Sequence, residues 1–377
     1  MTRTDDPADV YHALGVKPVV NASGTATQFG GSKLRPEAME AMNKAATVMV
    51  ELNELNRQAG KIIAEVTGAE VGHVSGGSAS GLTLQAAAVI AGAEPAKMAQ
   101  LPDTTGLKNE IIIHNSHRFP YDQAYRAAGA KLVGVGDGRR CQPWQLEAAF
   151  TERTAAVAYL KADFITQRAI PLEQVCQIAH DRGVPVIVDA ASMLPPRARL
   201  QEYTQQGADM VVYSGGKGVR GPQGTGILCG RAGLIEAAAA NAAPNQFIGR
   251  SMKVAKEEII GLITSLQIFV EEDEEAETGR YREMCEKVVD ALIEVPGLEV
   301  TVEHDYIDYH IPTALLKFTS RWAGPSRDVV YTRLEQGDPP IYLHSRGGPD
   351  ELCVDPINLD DSELETVIRR LREGLVG

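Results

Sequence analysis

From about residue 66 to 230, short runs of β-branched and apolar residues alternate with longer amphipathic stretches. Val71-Gly72-His73-Val74 reads as a strand, and residues 79–91, rich in Ala and Leu, as a helix. Ile111-Ile112-Ile113 is again a strand, 121–128 a helix and 131–135 a strand. Residues 144–150 read as helical and 155–160 as extended, while 171–182 is a helix opened by a proline, which suits a first helical turn. Residues 184–188 are continuously apolar, the pattern of a strand buried on both faces, and 208–213 is the next strand. Strand, helix, strand at this spacing predicts right-handed crossovers and a mostly parallel sheet covered on both sides, an α/β fold.

Beyond residue 230 the pattern changes. Helical stretches are expected at 234–243 and 254–295, the second broken or bent, followed by short strands at 299–303, 313–318, 341–344 and 351–354. A closing helix at 362–375 begins behind Asp361-Ser362, residues suited to capping it. The division this predicts is an N-terminal arm (1–35), a large domain (36–255) and a smaller α+β domain (256–377).

Composition narrows the function classes. With 44% hydrophobic residues the 377-residue chain is neither disordered nor fibrous, and no apolar run approaches the ~20 residues of a membrane span. The charged start, Met1 to Asp6, has no apolar segment behind it, so no signal peptide is expected. Thirty-seven basic against 50 acidic residues give a net charge of -13, without a basic run to neutralise phosphates, so nucleic acid is not an expected partner. The acidic run Glu271 to Glu275 reads as a solvated helix face. Five scattered cysteines point to a reducing cytoplasm, with neither disulfides nor a metal site.

The candidate chemistry is concentrated in Ser214-Gly215-Gly216-Lys217-Gly218-Val219-Arg220-Gly221-Pro222-Gln223-Gly224-Thr225-Gly226, which follows a buried strand. Gly216, Gly218 and Gly221 fit the spacing of a dinucleotide fingerprint, but Gly221-Pro222 stops the helix that should start there. Ser214 and Lys217 fit a serine–lysine dyad whose companion motifs are missing. A hairpin with an exposed lysine is the plain alternative. The chemical alternative is a lysine amine able to form a Schiff base, with glycines that let a flat ligand lie against the backbone. Asp189 ends the apolar run Val186-Ile187-Val188, where it either caps the next turn or holds a protonated ring nitrogen. Ser75-Gly76-Gly77-Ser78-Ala79-Ser80-Gly81, between a strand and a helix, offers backbone N–H groups to a phosphate.

An aspartate at a strand end, followed 28 residues later by Ser-Gly-x-Lys and Gly-Pro-x-Gly-x-Gly, resembles the fold-type I pyridoxal 5'-phosphate (PLP) enzymes. Within them the chain is most similar to the branch of selenocysteine synthase and D-glucosaminate-6-phosphate ammonia-lyase. Asn21-Ala22-Ser23-Gly24-Thr25 and the segment Gly249 to Glu258 share in the likeness. The resemblance implies Lys217 as the Schiff-base lysine and Cα base, and Asp189 as the partner of the pyridinium. It implies Gly77, Ser78, Ala79 and Ser214 around the cofactor phosphate, Ser192 near the phenolic oxygen, and His117, with His114 as rival, stacked on the ring. Arg250 and Lys253 match an anion-binding pair. Arg346 is the expected fork for a substrate carboxylate, with Arg35 and Arg168 as alternatives. The resemblance implies a lyase on a small amino or hydroxyamino acid, phosphorylated or not. A selenocysteine-synthase-type transferase, an aldolase or a racemase is the alternative. A homodimer or larger homo-oligomer is also implied. The extra tRNA-binding domain of selenocysteine synthase has no room in this chain, and Gly216 stands where persulfide-forming relatives usually carry histidine.

Overall fold

The computed structural model describes residues 7–162, 169–305, 309–344 and 348–376, which group into two compact units. The larger unit, Lys33–Glu272, is built on a seven-stranded sheet. Its strands are β1 (Val71–Ser75), β2 (Glu110–His114), β3 (Lys131–Val135), β4 (Thr154–Leu160), β5 (Val186–Asp189), β6 (Met210–Ser214) and β7 (Gly226–Gly230). The spatial order is β1-β7-β6-β5-β4-β2-β3, and only β7 runs against the others. The mostly parallel α/β sheet is thus as the periodicity predicts. Its residues alternate between two apolar layers, Val186 and Val188 joining one and Ile187 the other, as period-2 geometry requires. The Gly77–Ala91 helix is buried almost all round beneath one face, which explains its Ala- and Leu-rich composition.

Two helices outside the expected set, Pro36–Ala46 and Leu52–Thr67, precede β1. The Glu51 side chain accepts from the N–H groups of Asn53 and Glu54 to start the second, and left-handed Gly68 ends it. Among the described residues no helix is long and apolar enough to cross a membrane.

The second unit combines the chain before Lys33 with that after Glu272. A three-stranded antiparallel sheet places Tyr309–Phe318 between Glu351–Val354 and Leu298–Asp305. Val20–Ala22 pairs in parallel with Ile341–Leu343, and Asn358 Nδ2 donates to the carbonyls of Gly24 and Gly31 at 2.9 and 3.1 Å. The expected arm is therefore part of this unit. The closing helix is Asp361–Leu375, and its cap is Asp360, in a capping box with Glu363, one residue earlier than expected.

The expected boundary at 255 moves to Glu272. Lys256–Glu271 buries Ile259, Leu262, Leu266 and Phe269 in the core of the larger unit. The acidic run also reads differently in three dimensions. It is the break between two helices rather than one solvated face: Glu272 closes Lys256–Glu271, and Asp273 caps Glu274–Leu292 by accepting from Glu275 and Ala276. Three acids in the first turn of the second helix face its positive end, where negative charge is stabilising.

Candidate active site

Strand register gathers the site. Ser75 pairs with Gly226, which pairs with Ser214, and Asp189 pairs with Val212 on one side and Leu160 on the other. The carboxyl ends of β1, β2, β4, β5 and β6 therefore share one edge of the sheet, the edge where open α/β sheets bind ligands.

Asp189 closes β5, buried. One carboxylate oxygen accepts the N–H of Ala191 at 3.0 Å, so the residue does cap its turn. Burial nevertheless dominates and pushes its pKa up to about 6, with that hydrogen bond and the Lys217 ammonium acting in the opposite direction. A carboxyl held this way favours a cationic partner that relieves the desolvation. Ser192 lies half-buried three residues on, and Ser214, half-buried at the end of β6, donates its N–H to Ala191 at 3.4 Å.

The lysine loop between β6 and β7 is folded on its own backbone. Gly215 and Gly221 are joined by an N–H to carbonyl bond of 2.8 Å, and Arg220 N–H closes a turn on the Lys217 carbonyl at 2.9 Å. A Cβ on Gly216 would stand 2.4 Å from Gln223 Cα, and one on Gly218 would stand 2.2 Å from the Leu194 carbonyl oxygen. These glycines allow chain to pass against chain. Gly216→Ala is accordingly expected to destabilise the protein by about 1–3 kcal/mol, because backbone rather than a side chain must yield. Urea unfolding of the cofactor-free protein measures it, and an unchanged midpoint would show that the loop tolerates the methyl group.

Gly77 begins the Gly77–Ala91 helix at φ +81°, with no atom within 4 Å of where a Cβ would stand. Its N-cap, Gly76, has no side chain to cap it, so the first-turn N–H groups, those of Gly77, Ser78 and Ala79 among them, are available to an anion at the positive end of the helix dipole. The Ser75 hydroxyl fixes the turn by donating to the Gly77 carbonyl at 3.0 Å. Met252, between Arg250 and Lys253, would place its carbonyl oxygen 2.6 Å from a Cβ on Gly76. Both cations are exposed on that turn, against the same helix start.

His114 ends β2 and His117 ends the short turn after it, both buried, their rings 4.9 Å apart. Desolvation lowers them to about 4 and about 3, so both are neutral at physiological pH. His117 Nδ1 accepts the Leu160 N–H at 3.3 Å, which leaves its proton on Nε2. Among the described residues, both ring nitrogens of His114 are buried without a hydrogen-bond partner. The two rings thus differ: His117 is fixed in tautomer and orientation, and both stand edge-on to Tyr159.

Arg35 does not stand ready for a substrate. It is buried, its guanidinium forks the Glu272 carboxylate with two bonds of 2.8 Å, and its Nε donates to the Val219 carbonyl at 3.2 Å. Arg168 and Arg346 lie outside the described residues. Two contributors absent from the sequence reading are Glu272, concealed in the acidic run, and Gln85, whose Nε2 donates to the Val188 carbonyl at 3.2 Å and joins the Gly77–Ala91 helix to the strand of Asp189.

These residues fit PLP. An uncapped helix start suits its phosphate, a buried carboxyl with a raised pKa suits its ring nitrogen, and a lysine lies one strand over. Comparison with known proteins agrees. Residues 38–300 match the Aminotransferase class-V family. D-glucosaminate-6-phosphate ammonia lyase of Salmonella typhimurium is 31% identical over 97% of both chains. The 5'-C-glycyluridine monooxygenase-decarboxylase of a Streptomyces species is 33% identical over 99% of this chain and 94% of that protein. An L-seryl-tRNA(Sec) selenium transferase of Solidesulfovibrio magneticus is 27% identical over 93% and 80%. Among solved structures, a D-glucosaminate-6-phosphate ammonia-lyase superposes with a TM-score of 0.86 at 30% identity, covering 100% and 99% of the two chains. The chain belongs to the class-V aminotransferase family of fold-type I enzymes, whose cofactor is pyridoxal 5'-phosphate.

Proposed function

We propose that the protein is a PLP-dependent lyase that converts a small amino or hydroxyamino acid, one carrying a phosphate, to a keto acid and ammonia. The observation that carries this is the pairing of Lys217 and Asp189 on adjacent strand ends beside an uncapped helix start. Similarity to an ammonia lyase along nearly the full length of both chains supports the reaction class. In the cytoplasm, as a homodimer or larger homo-oligomer, the enzyme acts on a small molecule and not on nucleic acid.

Bound to Lys217, PLP supplies an electron sink for the pair left on Cα when its proton is removed. Lys217, displaced by the incoming amine, takes that Cα proton on Nζ. Asp189 holds a proton on the ring nitrogen through its carboxylate. The first-turn N–H groups of Gly77, Ser78 and Ala79, with the Ser214 hydroxyl, bind the cofactor phosphate. His117, neutral and fixed by Leu160, would stack on the ring, and Ser192 would serve the phenolic oxygen. Arg250 and Lys253, exposed beside the helix start, hold the substrate phosphate. Loss of the β-hydroxyl removes a water that hydrolysis of the resulting enamine returns, so a hydroxyamino acid leaves as keto acid plus ammonia with no net water consumed.

The comparison with the monooxygenase-decarboxylase favours a second reading, in which the carboxylate of a glycyl group is lost with consumption of oxygen. Product analysis decides between them. In a panel of phosphorylated and plain D- and L-β-hydroxyamino acids, a phosphorylated member is expected to give stoichiometric ammonia and keto acid without oxygen uptake, and its plain counterpart to react more slowly. Carbon dioxide with oxygen uptake, or aldol fragments, would sink the lyase reading.

A further inference from the structure

We infer that Arg35 and Glu272 form a positioning pair for Lys217, an inference that rests on Lys217 being the amine that carries the cofactor. Lys217-Gly218-Val219-Arg220 is a turn closed by Arg220 N–H on the Lys217 carbonyl at 2.9 Å. The two carbonyls on the far side of that turn are both held from outside it. Val219 accepts from Arg35 Nε at 3.2 Å. Arg220 accepts from the Arg35 N–H at 3.3 Å and from the Ser265 hydroxyl at 3.2 Å.

Arg220 sits in the left-handed region at φ +58°, the one non-glycine residue with positive φ among those described. That conformation costs roughly 1–2 kcal/mol and persists where surrounding contacts over-determine it. Arg35 helps to hold it, gripping the Val219 carbonyl with its guanidinium and the Arg220 carbonyl with its backbone N–H, beside the Ser265 hydroxyl. The grip is fixed in turn by the fork to Glu272, bidentate and largely shielded from water. Arg35 opens the Pro36–Ala46 helix and Glu272 closes Lys256–Glu271, so the fork staples the two ends of the Lys33–Glu272 unit across 237 residues of chain. Release of the fork lets the Val219-Arg220 peptide rotate and carries Lys217 Cα with it. A shift on the order of 1 Å at a reacting group can cost about 10²-fold in rate.

The test uses the full chain and PLP as probe. Arg35→Met keeps most of the side-chain volume and the backbone N–H to Arg220 but removes the guanidinium donors to Val219 and Glu272, Arg35→Lys keeps the charge without the fork, and Glu272→Gln keeps the shape without the charge. Three quantities are read for each: PLP affinity from the visible absorption of the loaded protein, the pH midpoint of that band, and thermal stability without PLP. Arg35→Met and Glu272→Gln are expected to weaken PLP binding about 10- to 100-fold and to move the pH midpoint, with a double-mutant coupling between them and partial recovery in Arg35→Lys. A lower melting temperature with unchanged affinity and midpoint makes the pair merely structural and overturns the inference. Should Arg35→Met fail to fold, Glu272→Gln decides alone by the same two readouts. A wild type that binds no PLP, or binds it equally after Lys217→Ala, refutes the cofactor assignment instead.

Discussion

Lys217→Ala should leave a folded protein that still binds PLP without linking it covalently, and that has lost turnover. Removing the base for the Cα proton alone is worth on the order of 10²–10⁴-fold, and loss of the covalent attachment adds to it. The loop should survive the change. Its shape is set by Gly215, Gly216 and Gly218, whose Cβ positions are filled by neighbouring atoms, and by backbone bonds that do not involve the lysine amine. PLP should still enter, because the proposed partners of its phosphate and ring nitrogen are elsewhere, on the Gly77–Ala91 helix and on β5. Borohydride reduction followed by mass spectrometry separates the two states. Wild type retains a reduced cofactor on the peptide containing Lys217, and the variant releases it on denaturation. Cofactor fixed to a different lysine, Lys161 for example, would show that the amine has been misassigned.

The candidate residues at the strand ends stand out in the sequence because their signal is local. A buried strand must be apolar, so an acid at its last position, as at Asp189, stands out against Val186-Ile187-Val188. A lysine among six glycines between two apolar runs stands out in the same way, and the order of strands and helices followed from periodicity. What depends on distant partners was not legible. Arg35 read as one more cation for a carboxylate, and only folding brings Glu272 to it from 237 residues away. Glu272 itself lay within five consecutive acids, where composition suggests solvent exposure and conceals a helix break. The loop glycines were found for one reason and are needed for another, since close packing and ligand access leave the same signature in a sequence. His114 and His117 look alike in sequence, and only folding gives one imidazole the Leu160 N–H and leaves both nitrogens of the other without a partner among the described residues.

Asp189→Asn should make the cofactor-free protein more stable near neutral pH while disabling it. In an unfolded chain this carboxyl titrates near its ordinary value of 3.8, whereas burial raises it to about 6 in the fold. Below pH 4 it is protonated in both states and costs nothing. Between pH 4 and 6 the folded protein holds a proton that the unfolded chain releases, so stability falls as pH rises, and above pH 6 the loss is complete. Two units of displacement correspond to about 3 kcal/mol. Asparagine reproduces the protonated acid, and its carbonyl can still accept from the Ala191 N–H. The variant should therefore gain up to ~3 kcal/mol over wild type at pH 7.5 and nothing at pH 4, with groups common to both proteins cancelling in the difference. PLP should reverse the ranking, because a cationic ring nitrogen relieves the buried carboxylate in wild type and has no charge to meet in the variant. Turnover should fall on the order of 10²-fold or more, the scale of losing one preorganised electrostatic contact to developing charge. Urea unfolding of both proteins at the two pH values, with and without PLP, measures all four terms. A variant no more stable than wild type at pH 7.5 would mean that Asp189 is solvated in the folded protein. A gain that persists unchanged at pH 4 would trace the effect to packing instead of charge.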